Sequence, residues 1–186
     1  MYRFFAIIIA VCVLFSGCTP RPDSMEYGLS LRETLFKSKE CSFLAEIIAN
    51  FEDAKYFFTV DCEVAEDQTF SFNVIDPDLL SGISGQIDKK DGRLTFEDKV
   101  LYFPLLAEGQ LPPICAPWVF YNALVSGYIH AAGEEDGHTR LTINDTFQSE
   151  NITLEIWLKN GTPVYSEIVW QGRNILCLTI SEFQPM

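Results

Sequence analysis

Residues 41–64, CSFLAEIIANFEDAKYFFTVDCEV, decide the fold. Phe43, Ala45, Ile47, Ala49 and Phe51 recur at every second position in the first half, and Tyr56, Phe58, Val60, Cys62 and Val64 do so in the second. A period of two places each set on one face of a β-strand. Closing the pair across the polar segment 52–55, EDAK, as a four-residue hairpin aligns both apolar faces. That register puts Phe51 opposite Tyr56, Ala45 opposite Cys62 and Cys41 opposite Glu66.

The β pattern continues outward from this hairpin with regular punctuation. Residues 69–75, TFSFNVI, alternate Phe70, Phe72 and Val74 before the Asp76–Pro77 break. ISGQI at 83–87, RLTF at 93–96 and VLYF at 100–103 are short strands separated by polar turns, which together draw an antiparallel meander. Glycines flank Ser84, which within a strand signals a bulge or close packing. Near the C-terminus Ile152, Leu154, Ile156 and Leu158 alternate with polar residues up to Asn160–Gly161, the strongest short hairpin signal in the chain. Pro163 to Trp170 and then NILCLTISEF, after Gln171–Gly172, complete three strands expected to be consecutive neighbours.

One stretch breaks the pattern. Residues 103–127 carry too many prolines for a central strand and too many apolar residues for a solvated loop. Pro117 can open a helix that Gly127 closes, and over 117–126 that helix is apolar almost all round, Trp118 included. It is expected to cover the sheet's core; with the apolar loop 104–114 it could also form a lid over a hydrophobic cavity. A second, weaker helix is expected over 24–38.

The first 20 residues have a different character. Arg3 precedes the apolar run FFAIIIAVCVLF, which has the length of a signal-peptide core and falls short of the roughly 20 residues that span a bilayer. Phe15, Ser16, Gly17 and Cys18 then resemble the lipobox of bacterial lipoproteins. The resemblance implies that residues 1–17 are a signal peptide and that Cys18 becomes an N-terminus carrying a diacylglyceryl group, the only prosthetic group expected. It divides the chain into residues 1–17, a lipidated N-terminus and tether at 18–38, and one β-domain at 39–186.

The formal charge is −13, and loss of residues 1–17 removes only Arg3, leaving −14. Such a surface repels nucleic acid and anionic headgroups, so no nucleic-acid partner is expected. Cys41, Cys62, Cys115 and Cys177 remain in the domain. In the hairpin register above, Cys41 and Cys62 lie four residues apart along the strand, on the order of 13 Å, too far for a disulfide. All four are expected as buried or half-buried thiols behaving as small hydrophobes.

Candidates for catalysis are few. His130 and His138 flank AAGEEDG and could approach each other across a hairpin, but a solvated turn explains that composition better than a metal site. No nucleophile elbow, phosphate loop or HExxH element is present, and no enzyme activity is expected.

The element order, with PDLLSGI at 77–83, LPPICAPW at 111–118 and the closing stretch 154–183, resembles the LolA/LolB-type family of lipoprotein carriers and their Gram-positive relatives. The resemblance implies a mainly β fold, a curved antiparallel sheet forming an incomplete barrel whose concave apolar face is covered by helices and can hold acyl chains. It implies no catalytic residues. Bearing its own lipobox, as acceptor-type and Gram-positive members do, the chain is expected to be tied to the cell membrane outside the cytoplasm and not to shuttle. Phe43, Phe58, Val60, Phe70, Phe72, Trp118 and Ile156 are the candidate residues lining a site for a lipid or other hydrophobic ligand. Each methylene buried there would contribute about 0.8 kcal/mol. The alternative is an envelope interaction or sensor protein with a filled core and no ligand.

Overall fold

The computed structural model describes residues 23–51, 54–88, 91–96, 99–104, 111–144 and 152–186. Two helices, α1 (Ser24–Ser38) and α2 (Ala116–Ser126), accompany eleven strands: β1 (Cys41–Phe51), β2 (Ala54–Val64), β3 (Phe70–Asp76), β4 (Ser84–Asp88), β5 (Asp91–Phe96), β6 (Lys99–Pro104), β7 (Tyr128–Glu135), β8 (His138–Asn144), β9 (Ile152–Lys159), β10 (Thr162–Trp170) and β11 (Arg173–Pro185). Short 3-10 turns lie at Asp78–Leu80 and Pro113–Cys115.

All strands belong to one curved, open antiparallel sheet, in the order β6-β5-β4-β3-β2-β1-β11-β10-β9-β8-β7. It is two meanders joined where the first strand meets the last. The expected neighbours β9, β10 and β11 are consecutive, and Asn160 and Gly161 both have positive φ, at 53° and 83°, as the hairpin signal required.

The register of the first hairpin differs from the expected one. β1 and β2 are separated by two residues, not four, so Phe51 pairs with Ala54, Phe43 with Cys62 and Cys41 with Val64. A shift of two leaves every side chain on its expected face, because the side-chain period is also two. It brings Cys41 and Cys62 to a diagonal pair instead of four residues apart. Diagonal neighbours sit about 7–8 Å apart, still beyond the Cα spacing of a disulfide, and all four domain cysteines are free thiols.

The inner face is the core. Alternation in β9 buries Ile152, Leu154, Ile156 and Leu158, and in β1 it buries Cys41, Phe43, Ala45, Ile47 and Ala49. α2 lies over this face as the apolar helix predicted, burying Val119, Phe120, Tyr121, Ala123 and Leu124. Its Phe120 ring stands edge-on to Phe43 at 5.6 Å between centroids, with Phe183 of β11 completing the cluster at 5.8 Å from Phe43.

α1, counted with the tether by the sequence reading, joins the core through Leu31 and Leu35. Its Arg32 holds the C-terminal end of α2: Nε donates to the Leu124 carbonyl at 2.7 Å and Nη2 to that of Gly127 at 2.7 Å. The last carbonyls of a helix lack intrahelical partners and carry partial negative charge, so a guanidinium suits that end on both counts.

Two glycines are set by cross-strand rings. Phe72 pairs with Gly85 and Phe103 with Gly92, and a Cβ added at Gly85 would lie 2.2 Å from the Phe72 ring. The Gly85 signal in the sequence is therefore close packing.

Two outcomes follow from this packing. Gly85→Val should destabilise the domain by about 2 kcal/mol through overpacking, and by less in a Phe72→Ala background; urea denaturation of the four chains of the cycle measures the coupling. Arg32→Ala should cost about 2 kcal/mol by the same assay, because it strips charge-assisted hydrogen bonds from the buried end of α2.

Candidate functional site

Along β2 the inner face changes character. Val64, Cys62 and Val60 are sealed, Phe58 is half-buried, and Tyr56 is exposed. The cause is where the helices lie: α1 packs on β7, β8 and β11, and α2 on β8, β11 and α1. Over the β2–β5 half near the β1–β2 turn, the described residues that meet the inner face are Pro113 and Ile114 of the 3-10 turn Pro113–Cys115, Leu80 of the Asp78–Leu80 turn and Ile83.

The result is an open groove of about 510 Å³, lined by Tyr56, Phe58, Val74, Leu80, Ile83, Leu94, Pro113 and Ile114. None of these side chains is ionisable near neutral pH, and the Tyr56 hydroxyl is their only polar group. Among the described residues lining it there is no general acid, base or metal ligand, and what it presents is apolar surface. Its volume falls in the range of ligand pockets.

The seven residues named from the sequence separate into three groups. Phe43, Val60, Phe70, Phe72 and Ile156 are packed in the closed core, at 1% exposure or less. Trp118 is half-buried on α2 against that core. Phe58 lines the groove. The remaining seven lining residues were not named, although Tyr56 and Val74 carry the same period-two signal as their neighbours. Leu80 and Ile83 fall within PDLLSGI, a stretch quoted for its family resemblance and not for a site. Cys18 and loop residues 105–110 lie outside the described residues.

The two histidines do not meet. His138 sits at the tip of the β7–β8 hairpin, paired with Glu135, whereas His130 lies in the bulge between Ile129 and Ala131, about 13 Å or more along the strand. The carboxylate at that tip has other partners: Glu135 accepts from Trp157 Nε1 at 2.9 Å and from Arg140 Nη1 at 3.4 Å. Arg140 also donates to Glu155 at 2.9 Å, and its guanidinium stands 5.4 Å from the centre of the Trp157 ring. Among the described residues no group of three or more potential ligands is placed to hold a metal ion.

The three buried thiols are chemically quiet. Burial pushes Cys41 and Cys115 up to about 12, and raises Cys62 well above its usual value, with Asp61 and Cys41 adding to the effect. Tyr121 rises to about 12, mainly by burial and further through Cys41. On the other face, burial together with hydrogen bonds to Cys177 and Glu167 raises the Tyr165 phenol, whose hydroxyl donates to Glu167 at 3.0 Å.

No protein-family model matches the chain, and no curated protein matches it. Among solved structures it is similar to a LolA superfamily protein from Nitrosomonas europaea, at 10% identity and a TM-score of 0.48, covering 89% of this chain and 94% of that one. A chain from the complex of the CwlD amidase of Clostridioides difficile with the GerS lipoprotein is similar at 12% identity and a TM-score of 0.44, covering 90% and 99%. The Mycobacterium tuberculosis lipoprotein LppX is similar at 9% identity and a TM-score of 0.36, covering 84% and 94%.

At pH 8 an alkylating reagent should modify Cys177, the one half-exposed thiol among these four, and leave Cys41, Cys62 and Cys115 unmodified until the chain unfolds; peptide mass spectrometry reads the sites. The raised thiol and phenol values also give a sign for alkali. The folded state holds these protons more tightly than the unfolded state, so stability is intact below about pH 9 and declines as pH rises towards 12. Denaturation midpoints across that window check it.

Proposed function

We propose that this chain is an extracytoplasmic lipoprotein without enzymatic activity, anchored to the cell membrane through a lipid on Cys18, that holds a lipid or other hydrophobic ligand on the inner face of its open sheet. The observation that carries the reading is the groove itself: eight apolar or aromatic side chains around about 510 Å³, with no charged group among them. Every methylene of a ligand buried there would contribute about 0.8 kcal/mol. The volume suits one acyl chain of up to roughly 17 carbons, each methylene being about the size of a water molecule at about 30 Å³. The headgroup stays in solvent, since no lining residue offers it a charge.

The lipobox-like sequence at 15–18 supports the anchor, and the mature charge of −14 argues that the lipid, not surface electrostatics, would hold the protein at a membrane. One observation favours the second reading, an envelope interaction protein: the Phe43, Phe70, Phe120 and Phe183 rings pack on one another and fill the middle of the inner face. Under that reading the groove receives an apolar side chain of a partner instead of a lipid.

Native mass spectrometry of residues 19–186, with titration of a fluorescent fatty acid, tests the proposal. Acyl ligands should co-purify or bind, and Ile83→Asp or Leu94→Asp should weaken binding at least tenfold while leaving the unfolding midpoint within a few degrees. Repeated absence of any bound acyl chain, with no uptake of the probe, would sink the carrier reading.

A further inference from the structure

An open sheet has two outer strands, and each carries a row of backbone N–H and C=O groups that no neighbouring strand pairs. Here they are β7 and β6, and the chain treats them differently. β7 is guarded. A register shift interrupts it between Ile129 and Ala131, Glu134 and Glu135 put two carboxylates at its end, and α1 packs against it. Bulges, charges and a covering helix are the devices that keep an edge from pairing with another chain.

Among the described residues β6, KVLYFP, has none of these. It pairs with β5 from Lys99 to Pro104 without a register shift, and both helices pack elsewhere. It is also apolar on both faces: Leu101 and Phe103, opposite Leu94 and Gly92, stand on the inner side, and Val100 and Tyr102, opposite Thr95 and Arg93, on the outer. Val100 is 51% exposed, Leu101 63% and Tyr102 73%. A strand apolar on both faces and bare along its edge has the makeup of an interior strand, not of an outer one.

Charge and symmetry select the missing neighbour. Residues 84–104, the last three strands on this side with their turns, hold four Lys or Arg and four Asp or Glu, so the formal charge of −13 lies entirely in the rest of the chain. Two copies can therefore touch here with their acidic parts kept apart. An antiparallel pair about a two-fold axis at Leu101 keeps inner residues with inner and outer with outer. Leu101 then faces Leu101 of the partner subunit, Val100 faces Tyr102 of the partner subunit and Lys99 faces Phe103 of the partner subunit. Pro104, which has no N–H to give, falls one place beyond Lys99 of the partner subunit and outside the ladder.

We propose that β6 is the contact through which two copies of this chain join edge to edge, their sheets running on as one across the two-fold axis. On the inner side the joint adjoins Leu94 of the groove, but neither the ligand nor the lipid anchor enters the inference.

A strand of six residues offers less than the roughly 800 Å² a side of a standard interface, so residues 19–186 should dimerise reversibly with a Kd of about 10–100 μM by sedimentation equilibrium. Leu101→Lys sets like charges opposite each other and should raise the Kd at least tenfold, leaving the unfolding midpoint within a few degrees because the side chain is exposed. In a Cys177→Ser background, oxidation should cross-link Leu101→Cys at least fivefold faster than Val100→Cys, since position 101 alone faces itself, and Tyr128→Cys on β7 no faster than Val100→Cys. A monomer at every concentration up to about 0.5 mM, or a dimer untouched by Leu101→Lys, overturns the contact. Faster cross-linking at 128 than at 101 overturns the choice of edge, and equal rates at 100 and 101 overturn the register.

Discussion

The fold depends on the antiparallel pairing of its first strand with its last. β2 to β6 and β7 to β10 are each local meanders that chain connectivity would form on its own. The ladder from Ala45 opposite Ile180 to Ala49 opposite Leu176 joins them into one surface. Contacts of that sequence separation carry a large loop-closure cost, and they form only when a shared core rewards them. Here that reward is visible in Phe43, Phe183 and Phe120, one ring each from β1, β11 and α2, packed at the seam. At the end of the seam where β1 starts, a register shift between Ser42 and Leu44 and a positive φ at Glu182 mark a bulge, and the two strands stay paired on either side of it.

The groove is the consequence of unequal cover. Among the described residues both helices sit over the half made by β7, β8 and β11, locked together by Arg32. Among the described residues Val74 is buried at the base of the groove, while Phe58, Ile83 and Leu94 stay half-buried along it. The chemistry of the site is therefore negative in kind. It offers shape and apolar area, and the ionisable clusters of the molecule, around Arg140 and around Tyr165, lie elsewhere and are paired among themselves.

Strand faces and turns were legible because they are local. Period two placed Phe43, Val60, Phe70, Phe72 and Ile156 correctly on an inner face, and the Asn160–Gly161 and Gln171–Gly172 signals stand at observed two-residue turns. The β1–β2 register was misread by two residues because EDAK offers polar residues for either a two- or a four-residue turn, and face parity does not distinguish them. The division between closed core and groove was not legible at all. Val60 and Phe58 carry the same pattern, two residues apart on one strand, and differ only in what lies above them.

What the sequence determined by itself is the set of strands, the sidedness of each and the apolar helix between Pro117 and Gly127. These follow from backbone geometry and nearest-neighbour residues, which act over a few positions. The tertiary structure decided which apolar side chains are satisfied by one another and which face an open groove, and at which end of the sheet that groove opens. Burial is a property of the whole assembly: it depends on where α1 and α2 come to rest across the seam between β1 and β11, a placement set by contacts some 80 to 140 residues apart in the chain.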